Sequence, residues 1–281
     1  MALPAGASGY FSQPQLILDP QLFEGTKLLP DVRQKILDMF FDHMVHMYND
    51  VHSFYMLWLA GSGISYQWSA NRGNGDLDVL LGIDYTKFVT ANPKYQYYTR
   101  TEIADEMDAM LKRHLWPRTA HTVFHPGGQA YEVTYYLNPY TENYDESIKN
   151  IHPYAAYNLT EDHWTVEPMA PNRFPVSFPV EFERKAEENR ELAQRLVNRY
   201  NYLQTSLATV APYTPQYHNW NSSKILLVQH IKTMYDDIHL GRRQAFSDMG
   251  EGYGDFYNYQ WQKAKADGIV QAFNEILNKE N

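Results

Sequence analysis

No cysteine occurs among the 281 residues. That excludes structural disulfides, thiolate catalysis and every cysteine-based zinc site, and it fits a reducing compartment. Any bound metal must rest on oxygen or histidine. The chain also lacks an apolar run of about 18 residues, the length that a membrane-crossing helix needs. Its opening, MALPAGASGY, carries neither the basic leader nor the apolar core of a signal peptide. The expectation is a soluble, cytoplasmic protein with no membrane contact. Positive charge is scarce: 24 Lys and Arg stand against 33 Asp and Glu, a formal net charge of -9. This argues against a broad surface for duplex DNA, while leaving room for a local basic patch. What is present is ordinary globular composition, 44% hydrophobic and 20% charged, with enough length for two modest domains. Tyrosine is frequent at 23 residues, and core filling accounts for that more readily than base stacking.

Residues 1–28 show little periodicity beyond Leu16-Ile17-Leu18 and read as an arm packed on the main body. Asp31 reads as the N-cap of a helix in which Val32, Ile36, Phe40, Met44 and Met47 recur at helical spacing. Residues 53–60 read as a buried strand closed by Gly61-Ser62-Gly63, and 76–83 as a second one after a polar, glycine-punctuated loop. Thr99 and Glu102 form a capping box for a helix with Ile103, Met107 and Leu111 on one face, ending before Pro117. Residues 122–124 and 129–137 read as strands joined by Pro126-Gly127-Gly128. Four prolines between Pro168 and Pro179 mark a domain boundary. Beyond it the pattern is helical, over 180–207, 223–246 and 255–277.

Alternate residues of a strand project from one face about 7 Å apart, so Asp76 and Asp78 can share a site while Leu77 and Val79 enter the core. A pair of divalent cations about 3.5–4 Å apart needs bridging anionic oxygens, which an Asp-x-Asp pair supplies. Most such pairs are solvated strand ends, but this one opens a strongly apolar run, where an uncompensated acid is costly. Glu132, inside the strand-like Tyr131-Glu132-Val133-Thr134-Tyr135, is the natural third ligand; a solvated strand face is its ordinary alternative. At Gly61-Ser62, backbone N–H groups and a hydroxyl can cradle a triphosphate.

In order and type, LAGSG at 59–63, GDLDVLLGID at 75–84 and YEV at 131–133 resemble the polymerase-beta-like nucleotidyltransferase superfamily. The resemblance implies an α/β (α+β) fold with a nucleotidyltransferase-like mixed sheet and helices, over 29–167. A connection (168–179) and a helical C-terminal domain (180–281) would follow. It also implies that Asp76 and Asp78 bind Mg2+ (or Mn2+), that Glu132 holds the catalytic metal and that Ser62 touches the terminal phosphates of an NTP. An acceptor hydroxyl of RNA, a small molecule, a protein or a nucleotide would then attack the alpha-phosphate. Three departures are visible: a longer loop from Ser62 to Asp76, Gly75 where serine is frequent, and Glu132 in place of the usual aspartate.

Other residues are weaker candidates. Lys112, Arg113, His114, Arg118, His121 and His125 form a basic stretch ahead of Glu132 that suits a phosphate or simply a solvated helix end. Lys185, beside Arg184 and Arg190 on the next helix, is a candidate triphosphate ligand. Arg242 and Arg243 read as helix-terminal charge, and GEGYGD at 250–255 as an interhelical connection, since it lacks the Lys of a phosphate loop. Tyr154, Tyr157 and Trp164 fit base stacking or a core. A phosphohydrolase using the same acids, or a binding protein that keeps the fold without turnover, are the alternatives to transfer.

Overall fold

The alternation of Leu77, Val79, Leu81 and Ile83 with Asp76, Asp78, Leu80 and Gly82 gives one strand two unlike faces, and the sheet is arranged around it. The computed structural model describes residues 3, 4, 6, 8–68, 75–151, 154–175, 177–247 and 249–280. Its contacts divide the chain into two units: Ser12–Arg173, and Met1–Phe11 together with Phe174–Asn281.

The first unit runs β1 (Phe23–Glu24), β2 (Lys27–Leu28), α1 (Pro30–Met44), α2 (Val51–Phe54), β3 (Tyr55–Ala60), β4 (Gly75–Ile83), α3 (Tyr85–Ala91), α4 (Arg100–His114), α5 (Trp116–Thr119), β5 (Thr122–Val123), β6 (Ala130–Leu137), α6 (Asp145–Ile151), β7 (Ala156–Asn158) and β8 (His163–Val166). β1 and β2 pair with each other, and the remaining strands form one mixed sheet in the order β5-β6-β4-β3-β7-β8. Among the described strands only β4 and β6 run parallel. A parallel pair cannot be joined by a tight turn; α3, α4, α5 and β5 fill the crossover.

The apolar faces of β3, β4 and β6 meet α1 and α4. Pro30 opens α1, where a missing N–H costs nothing, and Val32, Ile36, Phe40 and Met44 bury its inner stripe. α4 starts at a capping box: Glu102 N donates to Thr99 Oγ1 at 3.2 Å and Thr99 N to Glu102 Oε2 at 2.8 Å. Its Ile103, Met107 and Leu111 join Leu77, Val79, Leu81, Val133 and Tyr135 in the main core. On the opposite face, Ile148 of α6 packs with Trp58 and Leu80 in a smaller cluster.

The second unit contains α7 (Val180–Leu207), α8 (Pro215–Ala245), α9 (Phe256–Ala266) and α10 (Ile269–Glu280). Ala193, Leu196, Tyr200, Ile231, Trp261 and Phe273 lie in its core. Tyr10 belongs here: its hydroxyl donates to Tyr253 O, and its ring lies 5.4 Å from that of Phe178. No described helix is long and apolar enough to cross a membrane.

Several boundaries differ from the sequence reading. Asp31 lies in the first turn of α1 rather than capping it, because Pro30 moves the start back to an N-cap at Leu29. Ser53 and Phe54 close the short helix α2, so the strand begins at Tyr55. The helix expected from 223 starts at Pro215, capped by Thr214 Oγ1, which accepts from Tyr217 N at 3.2 Å. The helix expected over 255–277 is two, α9 and α10, broken where Gly268 takes a positive φ of 74°. The arm of 1–28 is divided between the units.

One half-buried acid ties α4 to the sheet. Leu137 N, at the end of β6, donates to Asp108 Oδ1 at 2.8 Å. Burial pushes the Asp108 carboxyl up to about 6, against the opposing pull of that hydrogen bond and of Lys112. A folded-state pKa above the unfolded value means stability that is full below the ordinary carboxyl range and lost as pH rises through about 6. Asp108→Asn keeps an acceptor for Leu137 without the charge. It should therefore stabilise the fold at pH 8 by on the order of 1–2 kcal/mol, and by much less at pH 5. Thermal melts of both proteins at the two pH values test this, and a gap that does not change with pH would refute it.

Candidate functional site

Parallel pairing of β4 with β6 sets Asp76 directly beside Glu132 and Asp78 beside Thr134. Neighbouring strands lie about 4.8 Å apart, so the backbones carrying the acids are adjacent and their side chains leave the sheet on one face. Asp76 and Glu132 are exposed and Asp78 is half-buried. The Thr134 hydroxyl donates to Asp78 Oδ1 at 3.2 Å. Leu77, Val79, Val133 and Tyr135, between these positions, are wholly buried on the other face. The alternation that sends the apolar residues inward thus sends the acids outward.

The end of β3 closes the site from the other side. Ala60 pairs with Asp78, and the chain then turns through Gly61 into a single 3-10 turn, Ser62–Ile64. Gly61 has φ 99° and ψ -176°, a conformation that is essentially glycine's own. A Cβ there would stand 3.1 Å from Asp78 Oδ2, so the missing side chain leaves space beside that oxygen. A Cβ on Gly63 would stand 2.5 Å from the carbonyl oxygen of Asp76, so the turn lies directly against β4. Ser62 is exposed; its carbonyl accepts from Ser65 N at 3.1 Å and from Ser65 Oγ at 3.0 Å, which fixes the turn. Residues 69–74 of the polar loop lie outside the described residues.

The donor set is all carboxylate oxygen, the chemistry that Mg2+ or Mn2+ prefers. Asp76, Asp78 and Glu132 therefore fit such an ion by type and placement. Among the described residues, though, no three Asp, Glu or His side chains stand together as a finished metal site. The fold sets the acids side by side on the backbone and does not gather their side chains around one point. Like charges on adjacent strands repel, and exposed side chains have the freedom to rest apart.

The same face carries a hub that the sequence did not suggest. Asp145, the first residue of α6, accepts from Trp58 Nε1 (3.0 Å), Asn158 Nδ2 (3.2 Å) and Thr165 Oγ1 (2.6 Å), and its Oδ2 lies 2.7 Å from His163 Nε2. One side chain thus joins β3, β7 and β8. Burial would raise its pKa, but the donors Thr165, His163, Trp58 and Asn158 outweigh burial and hold the carboxyl at about 2. Through its bond to Asp145, His163 is made more basic than usual. Nothing in the local sequence marks these residues as partners, because they come together only when the strands pair. Thr134, by contrast, follows Glu132 at the same two-residue spacing that links Asp76 to Asp78, and that spacing was legible.

The remaining candidates have mainly structural settings. His125 Nε2 lies 2.8 Å from Gln21 O and its Nδ1 3.3 Å from Asp31 Oδ2. Arg118 lines an open groove with Asp31, Asp38 and Asp42 of α1, whose inner stripe packs on the other face of the sheet. Tyr157 is buried, and Trp164 stacks on Phe23 with ring centroids 5.6 Å apart. Lys185 is exposed on α7, in the second unit, its ammonium 5.1 Å from the Phe256 ring centroid. Arg242 lies over Trp261 at 5.4 Å, and Asp255 of the glycine-rich run caps α9 by accepting from Tyr257 N at 2.8 Å.

Comparison with known proteins finds no matching family model, no matching curated protein and no matching solved structure.

The seating of the turn can be tested without any ligand. Gly63→Ala must displace either the turn or the β4 backbone, a strain worth on the order of 1–3 kcal/mol. Its melting temperature should fall clearly below that of the wild type. An unchanged value would show that the turn stands off from β4.

Proposed function

We propose that the chain is a metal-dependent nucleotidyltransferase of the polymerase-beta-like kind, moving a nucleoside monophosphate from an NTP to an acceptor hydroxyl and releasing pyrophosphate. One observation carries the reading: in-register parallel pairing sets Asp76, Asp78 and Glu132 on one face, next to the Gly61-Ser62 turn. Asp76, Asp78 and Glu132 would hold Mg2+ or Mn2+. When bound, such a cation pair supplies charge neutralisation at the phosphates and activation of the acceptor hydroxyl. The chain's own part is placement. Backbone N–H groups at Gly61-Ser62, with the exposed Ser62 hydroxyl, would hold the terminal phosphates, so that the leaving group is fixed before the bond breaks. The acceptor, whether RNA, small molecule, protein or nucleotide, is set by surfaces beyond these residues.

The test is incubation with each alpha-labelled NTP and Mg2+ or Mn2+, followed by analysis for pyrophosphate and labelled product. Label should follow the alpha-phosphate. Asp76→Ala and Asp78→Ala should each abolish turnover while melting at or above the wild-type temperature, since a repelling carboxylate has been removed. Glu132→Gln should lower kcat by about 100-fold or more while triphosphate affinity changes little. Orthophosphate as the sole phosphate product would replace transfer with phosphohydrolysis. Triphosphate binding without any product would identify a binding protein instead.

A further inference from the structure

We infer that Thr134 is a positioning residue that turns Asp78 into a pre-oriented bridging ligand. The inference rests on the proposed metal-dependent reading and adds to it a residue outside the three acids. Thr134 and Asp78 are partners across the parallel β4–β6 pair, and the threonine hydroxyl donates to Asp78 Oδ1 at 3.2 Å. On the other side of β4, the Cβ position of Gly61 lies 3.1 Å from Asp78 Oδ2. One carboxylate oxygen is thus drawn toward β6 and the other faces the turn that ends β3, so the carboxylate lies across the strands.

If a cation pair were held here, a carboxylate lying across the strands would offer one oxygen to each side. Donation from Thr134 does not block Oδ1, since a carboxylate oxygen keeps a second lone pair. Threonine suits the task because its branched Cβ restricts χ1 in a strand and so fixes where the hydroxyl points. Valine would serve the sheet equally well, so pairing alone does not call for the hydroxyl. Hydrogen-bond partners behind a metal ligand commonly govern metal affinity by about 10–100-fold.

The experiment is a Mn2+ titration of the full chain, followed by electron paramagnetic resonance and calorimetry, with no nucleotide and no turnover. Wild type, Thr134→Val, Thr134→Ser and Asp78→Ala are compared, each checked by thermal melting. Thr134→Val should weaken Mn2+ binding by about 10–100-fold without lowering the melting temperature of the metal-free protein. Thr134→Ser should stay close to wild type, and Asp78→Ala should lose the site. Wild-type affinity in Thr134→Val, with Asp78→Ala impaired, would overturn the inference and leave the metal-dependent reading standing. Equal weakening in Thr134→Ser and Thr134→Val would also overturn it, because serine retains the donor. Failure of the wild type to bind Mn2+ at all would remove the metal-dependent reading and this inference with it.

Discussion

The register of one parallel strand pair governs the rest of the candidate site. With Asp76 opposite Glu132, every second residue of β4 and β6 faces the acids' side and every other one faces α1 and α4. A slip of one residue would turn Leu77, Val79 and Val133 outward and bury the carboxylates, at a cost of several kcal/mol for each unpaired charge. Core and site are therefore specified together. The hydrophobic demand of one face holds the polar geometry of the other, and no separate device is needed to keep the acids in line.

Around that pair, the neighbouring elements are fixed by contacts that leave little room for adjustment. Gly63 lets the turn after β3 approach the β4 backbone to a distance that no side chain would allow, and Gly61 takes a positive φ that L side chains rarely adopt. Asp145 draws β3, β7 and β8 to the start of α6 through four donors. Rigid backbone on both sides of Asp78 and one hydroxyl at its carboxylate leave Asp76 and Glu132 as the exposed members of the set.

Legibility in the sequence followed the length and contrast of each pattern. β4 is a long, strongly apolar run opened by two acids, β6 alternates along its length, and α4 carries both a capping box and a clean apolar stripe, so these elements could be read directly. β7 and β8 could not. β7 is three residues, all buried, so it has no alternation to detect, and β8 is four residues of intermediate exposure throughout. The break between α9 and α10 was hidden because apolar residues stay in helical phase across Gly268. Pro215 is the first residue of α8, a position where proline is tolerated. The Asp145 hub was invisible for another reason: its four donors come from three strands whose pairing no local pattern encodes.

The division of the chain has a consequence for its synthesis. Met1–Phe11 belongs with Phe174–Asn281, while Ser12–Arg173 is a continuous segment between them. Tyr10 finds its acceptor, Tyr253 O, 243 residues downstream. A ribosome would therefore release everything needed for the sheet unit while the opening segment still lacks its partners, so the unit bearing the acids can fold first as an uninterrupted stretch. The helical unit must wait until α10 has been synthesised. Tyr10, buried once the unit is complete, remains unburied through that interval.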